Sequence, residues 1–345
     1  MTHAMLTMRA ATSRLQTTNS RSSRANVTLI ASPQSGALRR RFHRDVSGIL
    51  LLDKPLGLSS NAALQQVRVL YGALKAGHAG SLDPLASGAL PVCFGQATKV
   101  CGRLLDSAKT YLVQVKLGAR TESGDLETQV IERAEVPVLT QGAVEAALTG
   151  FRGEQMQIPP MHSALKFEGQ RLYELARRGE SVERAARQIT IHDIKLIALG
   201  SDRLEFEVHC SKGTYIRSLA EDIAARLGTL GYVESLRRLS VDPFGRFPMH
   251  TLEDLSALTD EERDRKLLGS DIVFDTFGSV VVPPAAEKLL LQGQSVRAEL
   301  PQLEEELRAY SASGEFLGIV AGCPDGRVRP VRLFVDPLQR PVVAG

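Results

Sequence analysis

The sequence predicts an α+β protein of two folded domains behind a basic N-terminal extension. Its 345 residues exceed one typical domain of ~150. From Val46 onward, apolar residues recur with strand and helix periods in alternation. Beyond Gly269 the pattern shifts to short strands joined by a turn dipeptide, which sets a small β domain over 275–345 apart from the preceding body.

The elements follow in order. Gly48-Ile49-Leu50-Leu51-Leu52 is a continuous apolar run that reads as a buried strand, stopped by the turn residues Asp53-Lys54-Pro55-Leu56-Gly57. Ser59, Ser60 and Asn61 are N-cap candidates for a helix whose apolar face is Ala63, Leu64, Val67, Leu70 and Tyr71. Residues 77–95 carry Gly77, Gly80, Gly88 and Gly95 and read as a glycine-rich stretch, followed by a helix over Gln96–Leu105. Tyr111, Val113, Val115 and Leu117 alternate like a half-buried strand. Thr140 can cap a short helix reaching Leu148. Ile189–Ala198 and Leu204–Cys210 read as strands, and a helix over Tyr215–Leu227 ends at Gly228, suited to the C′ position. Thr259 and Glu262 have capping-box spacing at the head of a helix that stops at Gly269. Pro283-Pro284 opens a short helix closed by Gly293, and strands over Phe316–Val320 and Val328–Phe334 meet across Asp325-Gly326.

Composition excludes several classes. No run of 18 apolar residues offers a membrane span. With no Trp and 5% aromatics, a broad aromatic platform is disfavoured. Cys93, Cys101, Cys210 and Cys323 form no C-x-x-C pair and stand beside no His cluster, which argues for reduced thiols and against zinc. The formal charge of +3 is unevenly spread. Residues 1–45 hold eight Arg, no Lys and one acid, Asp45, leaving 34 basic against 38 acidic residues in the body. Nucleic-acid binding by the body therefore needs a local basic patch. The extension lacks apolar periodicity and reads as disordered: a transit-type segment, a basic RNA-contacting arm or an untethered tail.

Three segments can carry chemistry. Ala76 to Gly88 combines His78, Asp83 and glycines that let a backbone approach a ligand, with Asp83 held extended before Pro84. Its plainer reading is a structured turn. Cys210-Ser211-Lys212-Gly213-Thr214-Tyr215-Ile216-Arg217 places a strand end, a turn and a helix start in sequence, where a phosphate can sit. Its plainer reading pairs Arg217 with Glu221 on a helix surface. Lys109-Thr110-Tyr111 starts the alternating strand, so Tyr111 is either a core aromatic or a stacking platform. Arg237-Arg238 can contact phosphates but reads first as a solvated face, as does Glu304-Glu305-Glu306. No Walker, dinucleotide or zinc-protease motif is present, which leaves an Asp-centred, cofactor-free site.

At these segments the sequence closely resembles the TruB family, the bacterial tRNA pseudouridine synthases acting in the T arm. Four blocks match in order: Gly48 to Ser60, His78 to Gly88, Ile158-Pro159-Pro160-Met161-His162-Ser163-Ala164-Leu165-Lys166, and Cys210 to Arg217. Gly169 to Arg177 fits as well, and the likeness spans residues 46–255. The resemblance implies a pseudouridine synthase fold over 46–270, a mixed, mainly antiparallel sheet flanked by helices, with a small C-terminal PUA-like β-barrel for RNA binding over 275–345. It implies isomerisation of uridine 55 in the T loop, with no cofactor and no metal. The family's catalytic aspartate maps to Asp83, which either attacks ribose C1′ or removes the C2′ proton to give a glycal. The resemblance implies substrate-binding roles for His78, which enters the T loop, for Tyr111, which stacks on the flipped base, for Tyr215 and Leu236, which line the pocket, and for Arg217, which pairs with Asp83. Ala79 and Ser87 stand where the family often has Thr, and His162 where an aromatic is common.

The implied partner is tRNA, held by the T arm and, through the C-terminal domain, by the acceptor arm. A monomer without membrane attachment or obligatory protein partner is expected in the cytoplasm, or in mitochondria if residues 1–45 are a transit peptide. Two rival readings stand beside this one. A tRNA-folding chaperone would tolerate loss of Asp83, and a guide-dependent ribosomal RNA synthase would need partners.

Overall fold

The computed structural model describes residues 44–298 and 306–334. Of the extension over 1–45 expected to be disordered, residues 1–43 lie outside the described residues, as do Glu304 and Glu305, while Arg44 is ordered, its N–H donating to the Gly72 carbonyl and its carbonyl accepting from the Leu74 N–H, each at 3.1 Å.

Strand β1 (Gly48–Lys54) is buried because both of its faces are covered. Leu50 and Leu52 pack on Ala63, Leu64 and Val67 of α1 (Ser60–Leu70), while Ile49 and Leu51 face Ala97, Val100 and Leu104. The Ser59 hydroxyl caps α1 by accepting from the Ala62 N–H at 3.1 Å. Strand β2 (Ala76–His78) leads into β3 (Ala86–Phe94). The glycine-rich stretch is thus partly a buried strand. Gly88 lies inside β3 at φ +100°, and a Cβ there would sit 2.1 Å from the Arg238 carbonyl oxygen. The helix expected over Gln96–Leu105 is a 3-10 segment, Gly95–Val100, followed by α2 (Cys101–Asp106).

Strand β4 (Lys109–Leu117) and a short hairpin, β5 (Ala119–Thr121) with β6 (Val130–Arg133), precede α3 (Gln141–Thr149), which Thr140 caps as its spacing suggests. Then come β7 (Gly153–Gln157), the hairpin β8 (Lys166–Phe167) with β9 (Gln170–Arg171), and α4 (Leu172–Ala176). Strands β10 (Arg187–Leu199) and β11 (Arg203–Cys210) run into α5 (Ile216–Arg226) and β12 (Gly231–Val241). The main sheet has the order β1-β3-β12-β4-β11-β10-β7, with β2 beside β3. Only the β12–β3 pair is parallel, so the sheet is mixed and mainly antiparallel. Helices α3 and α5 cover one face through Val144, Leu148, Leu219 and Ile223.

Strand β12 corrects the reading of Arg237-Arg238 as a solvated face. Its alternation is masked by Glu234, Ser235 and Ser240, yet it sits mid-sheet, and Arg238 is 1% exposed. Arg237 is bound by both oxygens of Asp53, at 3.0 and 2.7 Å. A second correction concerns the helix from Thr259. The capping box is present, but α7 (Asp260–Asp264), which follows α6 (Leu252–Ala257), ends well before Gly269. The chain leaves it so that Leu268 can pair with Ile49 through two backbone bonds of 2.8 and 2.9 Å.

The C-terminal residues build a second sheet from β13 (Ser279–Val282), β14 (Val296–Arg297), β15 (Glu306–Ser311), β16 (Phe316–Gly322) and β17 (Arg327–Leu333), in the order β13-β15-β16-β17-β14. Helix α8 (Pro284–Leu291) begins at the proline pair. This sheet has its own core of Val282, Leu290, Leu307, Leu317 and Val320. It also shares an aromatic cluster with the main body, in which Phe274 packs on Phe316 and Phe334. The described residues from Arg44 onward accordingly form one compact unit. No helix among them is long and apolar enough to cross a membrane.

Candidate active site

A cleft of about 750 Å³ opens where the β2–β3 turn, the start of β4, the middle of β12 and the head of α5 converge. His78, Asp83, Tyr111, Tyr215, Arg217 and Leu236 all line it. Residues singled out from separate stretches of sequence are thus brought to one place.

The Asp83 turn is fastened from three sides. Ser60 accepts from the Leu82 N–H at 2.7 Å, Gly57 N–H donates to the Pro84 carbonyl at 2.8 Å, and Arg238 donates to the Gly80 carbonyl at 3.0 Å. Gly80 takes φ +89°, which admits the sharp reversal before Asp83. The Asp83 side chain stays 53% exposed, open to the cleft, although protein walls crowd it. That burial pushes its carboxyl above the ordinary carboxylate value; Arg217 pulls it down, and Asp125 and Glu127 push it up.

Arg217 does not pair with Glu221. Its buried guanidinium points inward to Asp83 at 3.2 Å and Asp125 at 3.4 Å, and donates to the carbonyls of Ser123 at 2.9 Å and His162 at 2.7 Å. Asp125, 6% exposed, also accepts from the Ser123 hydroxyl at 2.6 Å and the Glu127 N–H at 2.9 Å. One guanidinium therefore serves two carboxylates and ties three loops together. Such a planar fork pre-orients the Asp83 oxygens.

Tyr111 lies half-buried on β4, cross-strand from Arg238. Burial raises its hydroxyl above the ordinary value, and the Arg238 charge opposes that rise. Burial, then Arg238, hold the His78 imidazole below its ordinary value, so it is neutral at neutral pH. Tyr215 is gripped by Gln157, which accepts from its N–H at 2.8 Å and donates to its carbonyl at 3.0 Å. Three buried polar atoms of the cleft lining, His78 Nδ1, His162 Nε2 and Ser163 Oγ, have no protein partner. At the rim, Arg177 meets Glu127 at 3.0 Å, and Arg171 and Arg177 lie over the Tyr173 ring at 5.9 and 5.4 Å. Among the described residues no group of His, Cys, Asp and Glu side chains is placed to hold a metal ion.

Sequence reasoning missed Asp125, Gln157 and the buried setting of Arg238. Asp125 follows Ser123-Gly124, a turn signature that hides a second carboxylate. Gln157 directly precedes the Ile158–Lys166 block, and no pattern distinguishes it from an exposed glutamine.

Comparison with known proteins identifies the family. Residues 68–216 match the family model for the TruB family pseudouridylate synthase N-terminal domain, 217–273 the tRNA pseudouridylate synthase B C-terminal domain, and 278–334 the pseudouridine synthase II TruB C-terminal model. The tRNA pseudouridine synthase B of Chromohalobacter salexigens is 49% identical over 298 residues, covering 86% of this chain and 97% of that protein. The protein of the same name from Nitrosococcus oceani is 47% identical over 300 residues, with 86% and 97% covered. Among solved structures, a Cbf5-Nop10-Gar1 complex aligns with a TM-score of 0.63 at 21% identity, covering 86% of this chain and 87% of that one. That likeness speaks to the fold: the mixed sheet with a C-terminal β sheet belongs to the pseudouridine synthase architecture. With relatives this similar over most of its length, the chain belongs to the TruB family of pseudouridine synthases.

Proposed function

We propose that this enzyme isomerises uridine to pseudouridine at position 55 in the T loop of tRNA, with Asp83 as its catalytic group. The observation that carries this reading is the Asp83–Arg217 pair at 3.2 Å, open to a cleft that Tyr111 also lines. C1′ and C5 of a stacked uridine are out of reach, so the nucleotide must be extruded into the cleft, at a cost of a few kcal/mol. Stacking on Tyr111 and apolar contact with Leu236 offset part of that cost, and neutral His78, with its unpaired Nδ1, fills space vacated in the loop. Tyr215, fixed by Gln157, closes the pocket beside the ribose. Phosphates of the T arm meet Arg171 and Arg177 at the rim.

The chemistry conserves atoms. The C1′–N1 bond breaks with its electron pair leaving on the base, assisted by Asp83 either as nucleophile at C1′ or as base at C2′. The base turns within the pocket, C5 bonds to C1′, and the C5 proton is removed while N1 acquires one. Asp83, the carboxylate nearest the reacting carbons, takes the C5 proton. Arg217 keeps it ionised and aimed throughout. No electron leaves or enters, and these residues suffice without a cofactor. The catalytic domain spans 46–270, and the C-terminal PUA-like domain over 275–345 grips the acceptor arm. The working form is a cytoplasmic monomer acting without guide or partner protein.

Purified enzyme and an unmodified tRNA transcript test the reading, with pseudouridine mapped after carbodiimide treatment. Wild type should place one pseudouridine at position 55, and Asp83→Asn none. Equal product from both proteins overturns the role of Asp83. Tight tRNA binding without product from either overturns the reaction and favours a folding chaperone.

A further inference from the structure

The site holds two buried arginines, and their charges are treated differently. Arg217 faces two carboxylates, so the Asp83–Arg217–Asp125 cluster carries one net negative charge when both acids are ionised. Arg238 is 1% exposed and, among the described residues, the largest fully buried side chain. Its donors go to the backbone carbonyls of Ala89 at 2.6 Å and Gly80 at 3.0 Å and to the Tyr111 hydroxyl, and among the described residues it makes no ion pair with a carboxylate. Burying a guanidinium without an acid is costly. A neutral amide could satisfy the same carbonyls, so the retained charge calls for another explanation.

Position supplies one. Arg238 stands cross-strand from Tyr111, and its charge acts on both Tyr111 and His78, two residues of the cleft lining. Lys109 adds the same sign nearby. It is 6% exposed and donates to the carbonyls of Leu104, Leu105 and Ser107. Burial and the Arg238 charge bring its ammonium down to about 8. Lys54 is also buried on carbonyls, those of Pro55 and Leu58, but it lies close enough to Asp83 to feel that charge. The Asp83–Arg217–Asp125 cluster is thus net negative, with Lys54 beside it, and the charge at Arg238 and Lys109 on the Tyr111 side is positive.

Heterolysis of the C1′–N1 bond needs that polarity. The sugar carbon becomes electron-poor beside Asp83, and the departing base takes the electron pair against Tyr111. Fixed charges aligned with the charge that develops in a transition state accelerate a reaction without reorganising. We propose that Arg238 is an electrostatic positioning residue: its unneutralised charge behind Tyr111 stabilises the uracil anion as the glycosidic bond breaks. The inference rests on the reading that Tyr111 stacks the target base.

Single-turnover rates on two transcripts test it, one with uridine and one with 5-fluorouridine at the target, read as loss of the starting nucleoside after nuclease digestion. Fluorine makes the base a better leaving group, so cleavage depends less on help from the protein. Arg238→Met should lose about 10²-fold on uridine, about ten-fold less than that on 5-fluorouridine, and nothing in tRNA affinity. Arg238→Lys should restore most of the rate and the wild-type ratio between the substrates. Equal losses on both transcripts, or a loss accounted for by weaker tRNA binding, overturn the proposal and leave Arg238 a strut of the Gly80 turn. Where Arg238→Met fails to fold, Arg238→Gln, which keeps an N–H donor, carries the same comparison. A wild type that consumes neither transcript, like the Asp83→Asn control, sinks the reaction reading itself and this inference with it.

Discussion

The main body and the C-terminal sheet are built on different terms. Among the described residues, twelve of the thirteen buried polar or charged ones lie from Lys54 to Arg238, whereas the C-terminal sheet contributes one, Ser311. The body gives up apolar packing around its cleft, where Ser60, Gln157, Arg217 and Arg238 hold the segments that carry Asp83 and Tyr215. The C-terminal sheet is packed conventionally, with Leu307, Leu317 and Val320 inside and arginines outside. The difference teaches where chemistry is done. Buried charge is tolerated only where it positions something, so an RNA-binding role for the second sheet has to act from its surface.

The largest expected effect sharpens that contrast. Asp83→Asn should abolish conversion by at least about 10⁴-fold, the scale for removing a nucleophile or base. Yet the variant should melt no lower than wild type. Asp83 has its carboxyl raised by burial, so its ionised form is disfavoured by folding at neutral pH, and a neutral amide relieves that. A melting temperature far below wild type would show instead that the Arg217 pair holds the cleft together. Next comes Arg217→Lys, which keeps the charge but cannot span two carboxylates and two carbonyls. It should cost about 10²-fold in single-turnover rate with tRNA affinity retained. A near-wild-type rate would reduce Arg217 to a simple counter-ion.

A smaller, directional effect concerns pH. Asp83 must be ionised to react, so kcat/KM falls as pH drops through its pKa in the free enzyme. Burial places that acid limb above the ordinary aspartate value, and the Asp125 charge pushes the same way. Asp125→Asn should therefore move the limb to lower pH, while any variant that removes the Arg217 charge moves it higher. A pH–rate profile for each variant decides the matter. A limb that stays put in Asp125→Asn would mean that Asp125 acts only through the aim of Arg217.

Much of the fold is legible in the sequence alone. Local patterns located α1, α3, α5, β4 and β11 because one face of each meets a core and the other does not. Rare blocks held His78, Asp83, Tyr215 and Arg217, and the family resemblance added Tyr111 and Leu236, since chemistry confines Asp83 and Arg217 more tightly than packing confines a leucine. Two central strands stayed hidden for physical reasons. In β3 the glycines read as loop, although Gly88 is there so that the β12 backbone can pass close by. In β12 the charged pair read as surface, because sequence cannot tell an arginine satisfied by buried carbonyls from one satisfied by water. Asp125 and Gln157 were missed for the same reason: their partners lie across the fold, 92 and 58 residues away at Arg217 and Tyr215.

The smallest expected effect tests the other side of the comparison. On the C-terminal sheet Arg332 donates to the Lys99 carbonyl at 2.7 Å, and the two side chains line a surface depression with Pro330 and Leu333. Burial, Lys75 and Arg332 hold the Lys99 ammonium below its ordinary value. Like charges set side by side at a surface are relieved when a phosphate sits between them, and each phosphate contact adds to the salt dependence of binding. Arg332→Gln should therefore weaken tRNA binding by only a few-fold and lower the salt slope of the affinity by about 1, with single-turnover rate at saturating enzyme unchanged. Filter binding at several salt concentrations, beside the rate, reads both quantities. An unchanged slope would remove Arg332 from the RNA path. A slower chemical step at saturation would mean that the conventionally packed sheet reaches into the reaction after all, and the division drawn between the two regions would fail.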